Sequence, residues 1–398
     1  VASALGIPLA EHERRAAQLG EQVRAAGLRG AVVFDALRVQ YLTGFAFAPT
    51  ERPIAFVLGP GGERVLFVPR LEVEHAAGQT GLDHIAHYPE YPGEPTATNV
   101  LAGLLVELGL RDRIGADLDG YPWILGYRGP TLSELTGATV VPIAAAIEDL
   151  MAVKSEAEVA CLRESVRWAE LAHRLLQRFT RPGASETEVS RRAGMEATVA
   201  MLEALGDHYR AGNPFVDGAM AVYRGQIGRN SAIPHTLAGN ITFEVGDVLV
   251  SGATAPVWGY LSELERTLVI GPPSDAQRRL FDHATAAQQV AFDAIRPGAR
   301  CSDVDLAVRA YYDANGLWDR WRHHTGHAIG LRYHEGPFLD LGDHTEVRPG
   351  MVFTVEPGLY HPDLGGFRHS DTVLVTEDGI DVLTSYPRDL DALIVPAG

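Results

Sequence analysis

Val245-Gly246-Asp247-Val248-Leu249-Val250-Ser251-Gly252-Ala253 and, further along, Val347-Arg348-Pro349-Gly350-Met351-Val352-Phe353-Thr354-Val355-Glu356 have the periodicity of buried strands opened by a glycine turn. Each follows a pair of helix signals. Ser155-Glu156-Ala157-Glu158 has the spacing of a capping box, in which Ser and Glu satisfy each other's free backbone donors. Val159, Leu162, Val166, Ala169, Ala172, Leu176 and Phe179 then recur at three- and four-residue steps, the apolar stripe of a long helix. Ser185-Glu186-Thr187-Glu188 opens a second helix the same way, Ser274-Asp275-Ala276-Gln277 a third and Ser302-Asp303-Val304-Asp305 a fourth. Strands are expected over 245–253 with 260–270, and again over 347–356 with 366–376. Two successive helix–helix–strand–strand halves imply an internal duplication. Such a duplication closes into one curved sheet backed by four helices, and residues of both halves converge at its centre.

Upstream, the pattern alternates. A helix over 9–26, strands over 31–34, 54–58 and 64–68, a helix over 98–108 and strands over 113–118 and 138–143 read as a sheet flanked by helices. With 398 residues the chain exceeds one ordinary core, and the change of pattern near Met151 divides it into domains at 1–150 and 151–398. A net charge of −17 argues against nucleic acid, which calls for clustered Lys and Arg. No apolar run is long enough to span a membrane, and residues 1–15 lack the basic-then-apolar pattern of a secretory signal. Cys161 and Cys301 are far apart and form no CxxC pair, so a disulfide framework is not expected and a reducing cytoplasm is.

The chemistry is carried by polar residues in apolar surroundings. Glu263 and Glu265 are two apart in an expected strand, so both side chains emerge on one face. If that face is buried, they need a cation or a proton between them; the alternative is a solvent-facing edge. Glu356 ends an apolar strand directly before Pro357-Gly358. The segment His323-His324-Thr325-Gly326-His327-Ala328-Ile329-Gly330-Leu331-Arg332-Tyr333-His334 sets four histidines among glycines and apolar residues. His323 and His327 have the spacing of a helical metal pair, but the glycines and β-branched residues oppose a helix there. No GxSxG elbow, P-loop, HExxH or dinucleotide fingerprint is present. The residues therefore point to hydrolysis at a carboxylate–imidazole site, with general-base or metal assistance.

Gly326-His327-Ala328-Ile329-Gly330 with His334-Glu335, then Glu356-Pro357-Gly358, then Arg368 and Asp371-Thr372-Val373-Leu374-Val375-Thr376-Glu377-Asp378-Gly379, resembles the pita-bread catalytic domain of creatinase, the Xaa-Pro dipeptidases and aminopeptidase P. Tyr41-Leu42-Thr43-Gly44 and Glu51-Arg52-Pro53 look like that family's smaller domain. The resemblance covers nearly the whole chain in order and implies an α+β pita-bread domain preceded by a smaller α/β domain. The metallopeptidases of the family hold two ions through two Asp, one His and two Glu. Position by position these fall on Gly252, Glu263, His327, Glu356 and Ser370, so two ligand positions are lost. His369 and Asp371 flank Ser370, but strand alternation sends them to the opposite face. The resemblance then implies no metal, or one divalent ion (Mn, Zn or Fe) on Glu263, His327 and Glu356.

Creatinase works without metal, and Leu264-Glu265-Arg266-Thr267 is similar to its motif. That likeness assigns a substrate guanidinium to Glu265 and Glu356 and the general base to His235. Without metals, Glu263, Glu265 and Glu356 form an anionic pocket that wants a cationic ligand, and His327 is expected to bind substrate beside them. His334-Glu335-Gly336-Pro337 looks like the peptidase version, in which the His meets the substrate carbonyl. The leading expectation is a hydrolase of an amide or amidine C–N bond in a small cationic or zwitterionic substrate, metal-free or with one ion. A metal-dependent Xaa-Pro dipeptidase is the second reading, and a non-catalytic binding protein the third. The resemblance also implies a homodimer in which Arg52 binds a substrate carboxylate.

Overall fold

Residues 5–82 and 84–398 are described by a computed structural model. They form two compact units, Ile7–Met151 with Gly212–Pro214 and Ala152–Ala211 with Phe215–Gly398. The smaller unit is a six-stranded sheet in the order His84–Tyr88, Arg64–Pro69, Ala55–Leu58, Ala31–Val33, Arg113–Ala116, Thr139–Pro142. The helix Ala97–Glu107 turns Leu101, Leu104 and Leu105 onto Val32, Val57, Phe67 and Ile114 of that sheet. Several of its elements escape the sequence pattern, among them one strand and one helix. The strand His84–Tyr88 carries histidines at its two exposed positions and buries only Tyr88, so it lacks an apolar face. The helix Ala36–Thr43 is buried almost all round, so no stripe marks it; it is visible only through its cap, where Asp35 Oδ1 accepts the Arg38 N–H at 3.1 Å.

The larger unit carries the helices Glu156–Phe179, Glu186–Leu205, Asp275–Ala294 and Cys301–Ala314. Ser155 with Glu158 and Ser274 with Gln277 form complete capping boxes. Ser185 accepts from the Glu188 N–H but spends its own hydroxyl on Asn240 Oδ1, 2.7 Å away. The fourth helix departs from expectation. It begins at Cys301, the Arg300 N–H donates to Asp303 Oδ2 at 3.1 Å, and Ser302 faces His344 instead of capping. Asp303, three residues after Arg300, is the acid that satisfies the helix start.

A four-stranded sheet runs Ile394–Val395, Leu264–Ile270, Val248–Thr254, Met220–Val222. A five-stranded one runs Glu335–Leu339, Gly326–Ala328, Val352–Val355, Asp371–Val375, Ile380–Val382. The strand expected over 260–270 starts only at Leu264, so Glu263 precedes it and donates its N–H to Thr372 Oγ1 at 2.9 Å. The two sheets meet at Glu265 and Ser370, whose N–H and C=O groups exchange two 3.0 Å hydrogen bonds. Gly252 pairs with Glu265 on the other side. Gly252, Glu265 and Ser370 thus form one row across the junction, facing the same way.

The opposite face is stapled to the helices. Arg266, fully buried, sets Nη2 2.7 Å from Asp371 Oδ1 and donates to the carbonyls of Glu265, Ser370, Pro387 and Tyr386. Gln288 of Asp275–Ala294 donates to Asp371 Oδ2 at 2.9 Å. His173 of Glu156–Phe179 lies 2.6 Å from Ser251 Oγ. Burial, with Arg266 adding to it, pushes the His173 pKa down to about 3.

Asp371→Ala leaves the Arg266 guanidinium buried without its partner and is expected to lower stability by about 3–5 kcal/mol in urea unfolding. The unfolded chain protonates His173 near its ordinary value, whereas the folded chain resists until about pH 3. The unfolded state therefore takes up the extra proton, and stability falls as pH drops from about 6.5 towards 3. His173→Gln should flatten that decline, read from urea midpoints at a series of pH values; an unchanged slope would remove His173 as its source.

Candidate active site

A cavity of about 310 Å³ opens on the front of the sheet junction, lined among others by Arg224, His235, Glu263, Glu265, His334, Glu356 and Arg368. Each reaches it from a different element. Glu265 comes from Leu264–Ile270, Arg368 from the end of the hairpin strand Gly365–Arg368, and Glu356 from the residue after Val352–Val355. His327, on Gly326–Ala328, lies behind the cavity, 1% exposed. Its Nδ1 rests 3.0 Å from Ala328 O, which turns Nε2 towards Glu356 Oε1 at 3.2 Å. Gly326 makes this approach feasible, because a Cβ there would lie 2.1 Å from Thr354 O. Buried Asp305 fixes the same strand by accepting the Thr325 N–H at 3.1 Å and its hydroxyl at 2.7 Å.

His334 is exposed, with its ring 4.2 Å from that of His327. Its loop is anchored by Glu335, which is buried, accepts the Arg332 N–H at 3.1 Å and pairs with Lys154 Nζ at 2.9 Å. His235 is exposed on the same cavity. Arg52 belongs to the smaller unit, where its Nε donates to Glu90 at 2.7 Å.

The two neighbouring acids resolve their repulsion differently. Glu263 accepts the Ser370 hydroxyl at 2.6 Å, and burial, then Glu356 and Glu265, push its pKa up to about 8. Glu265 instead has cations: Arg368 grips both its oxygens, with Nη2 2.8 Å from Oε1, and Arg224 Nη2 sits 2.6 Å from Oε1. The carboxylate that the creatinase likeness assigns to a substrate guanidinium is therefore already bracketed by two guanidiniums of the chain itself. Burial opposes ionisation of Glu356, but His327 and Arg368 override it and hold the group below the usual carboxylate range. Burial likewise opposes the charge on His327, and Glu356 overcomes it to raise the pKa to about 9.

Donor atoms of Glu263, His327 and Glu356 all lie within 4.8 Å of one another. His327 Nε2, although near Glu356, is not aligned for a hydrogen bond and is a buried nitrogen without a hydrogen-bond partner. Nδ1 faces the Ala328 carbonyl, so Nε2 is the nitrogen that, on losing its proton, can offer a lone pair to one divalent ion beside the two carboxylates. A second ion does not fit the residues present. Gly252 supplies no donor atom, and the Ser370 hydroxyl is turned to Glu263. His369 and Asp371 point away from the cavity, packing on Phe281 and binding Arg266.

Sequence reading gave no role to Arg224, Tyr360 or Asp305. Arg224 follows no periodic pattern and sits at φ 53°, a conformation that the sequence does not announce. Tyr360 links His323 Nε2 at 2.7 Å to Arg368 Nη1 at 3.1 Å, a chain visible only across strands. Arg368 had a signal, a charge at the end of Gly-Gly-Phe-Arg inside an otherwise buried hairpin.

A curved, largely antiparallel sheet backed by helices, with carboxylates and imidazoles at its seam, defines a C–N bond hydrolase of the pita-bread fold. The chain belongs to the metallopeptidase family M24, which residues 160–377 match, while residues 15–153 match the creatinase/prolidase N-terminal domain. The probable dipeptidase PepE of Mycobacterium tuberculosis is 30% identical over 97% of each chain. The Xaa-Pro dipeptidase of Pyrococcus furiosus is 34% identical over 61% of this chain and 66% of its own. Among solved structures, dipeptidase PepE from Mycobacterium ulcerans superposes with a TM-score of 0.83 at 28% identity, covering 98% of this chain and 100% of the other. Members of the family typically use divalent metals such as manganese. No helix among the described residues is long and apolar enough to cross a membrane.

Proposed function

We propose that this chain hydrolyses the peptide bond of small dipeptides, those ending in proline among them, with one divalent ion held by Glu263, His327 and Glu356. The observation that carries this reading is the buried His327, whose donor nitrogen lies within 4.8 Å of donor oxygens of both Glu263 and Glu356. The ion, when bound, would supply Lewis-acid polarisation of the scissile carbonyl. The chain's own groups do the rest. His334, on the cavity rim, offers a ring N–H to the carbonyl oxygen; its desolvation lowers its pKa and favours the neutral ring. His235 takes a proton from the attacking water as the C–O bond forms. It returns that proton to the departing nitrogen as the C–N bond breaks.

A metal-free site for a cationic amidine has less support. Its guanidinium acceptor, Glu265, is bound to Arg368 and Arg224. A zwitterionic dipeptide needs no such acceptor.

Protein loaded with manganese or zinc and freed of excess should carry about one equivalent per chain by elemental mass spectrometry, and His327→Ala about none. His235→Ala should lower kcat/KM on dipeptides by a factor of about 10²–10⁴ with an unchanged thermal midpoint, since its side chain is exposed. Two equivalents in the unaltered protein, or full activity in His327→Ala, would sink the one-ion reading.

A further inference from the structure

We propose that the guanidinium of Arg224 takes the place of the second divalent ion, and that its presence confines the site to one. The inference deepens the one-ion reading above and rests on it.

The row Gly252–Glu265–Ser370 crosses three strands at one level, with Glu265 at its centre, 3% exposed. A carboxylate buried that deeply demands a cation. The ends of the row, where the family's set would place carboxylates, are neutral: a glycine and a serine. Two full charges are thus absent from the position that would neutralise a dication, and a monocation is present there. Arg224 Nη2 lies 2.6 Å from Glu265 Oε1. It is also 3.7 Å from where a Cβ on Gly252 would sit, and that Cβ would be 3.3 Å from Glu265 Oε1. A carboxylate grown from residue 252 would therefore lie within reach of the Arg224 guanidinium, which competes with a divalent ion for it. The three positions fit one another: no acid at 252, an acid at 265 and an arginine beside both.

The arginine is held there by the backbone. Arg224 adopts φ 53°, a left-handed conformation uncommon outside glycine. Buried Glu186 fixes the loop on either side, accepting the Gly225 N–H at 2.8 Å and the Gly239 N–H at 2.6 Å. Gln226 Oε1 accepts a second contact from Arg224 Nη2 at 3.3 Å. Arg368 closes the opposite side of Glu265. Arg224 is in this scheme a positioning residue: it neutralises Glu265 and keeps the second ion out.

The test measures Mn²⁺ stoichiometry and affinity by calorimetry and elemental mass spectrometry, with electron paramagnetic resonance reporting coupling between paired Mn²⁺ ions. Gly252→Asp/Ser370→Glu restores both acids but keeps the guanidinium, and is expected to bind one ion. Adding Arg224→Met should admit a second, coupled ion at least about tenfold more tightly than the double variant does. A double variant that binds two ions as well as the triple overturns the proposal, as does a triple that gains none while keeping the first. Should the buried Ser370 change prevent folding, Gly252→Asp with and without Arg224→Met gives the same comparison. The reading on which the proposal rests fails separately. It falls if the first ion is missing from the unaltered protein, whereas Arg224 is judged only by the difference its removal makes to the second.

Discussion

Arg266 and Asp371 form an ion pair with no exposure to water on the side of the sheet away from the cavity, and the active-site face depends on it. Each residue follows one of the pair that joins the two sheets, Glu265 and Ser370. Because side chains alternate along a strand, fixing Arg266 and Asp371 against the helices turns Glu265 and Ser370 towards the cavity. A slip of one residue would exchange the faces, putting a carboxylate into the helix layer and a guanidinium into the site. The additional bonds from Arg266 to four carbonyls, and from Gln288 to Asp371, supply what a buried pair needs to offset its desolvation.

On the front face the dominant problem is the density of charge. Three carboxylates, Glu263, Glu265 and Glu356, border one cavity with the histidines, and none can remain ionised there unaided. Each is stabilised by other means. Glu356 has His327 and Arg368, Glu265 has two guanidiniums, and Glu263 has a serine hydroxyl and a pKa lifted into the range where a proton or a metal can occupy it. This division of labour separates the site into a half suited to one ion and a half already neutralised. The first half gathers groups from both duplicated halves; the second is closed by arginines from a loop and a hairpin.

Much of this was legible in the residues. Ser155 with Glu158 and Ser274 with Gln277 mark helix starts by local hydrogen bonding alone, and both boxes form. The opposite facing of Ser370 and its neighbours follows from strand alternation, and is seen in His369 against Phe281. Less was legible where the deciding contact is distant. Ser302 resembles a cap by spacing, yet the chain turns two residues earlier because Arg300 and Glu346 bridge. The strand expected from Tyr260 starts at Leu264, since Glu263 bonds to the side chain of Thr372.

The sequence by itself determined the repeated helix–helix–strand–strand pattern and, by alternation, that Ser370 faces away from His369 and Asp371; the pita-bread architecture followed from the family resemblance of its motifs. Periodicity, capping and alternation are local properties, written within a few residues. Only the tertiary structure decided which charges neutralise which. Arg224 and Arg368 lie 41 and 103 residues from Glu265 in the chain, and nothing in their own neighbourhoods names that partner. Electrostatic energy depends on distance in space and on exclusion of water, and both are set only when the two sheets close on one another.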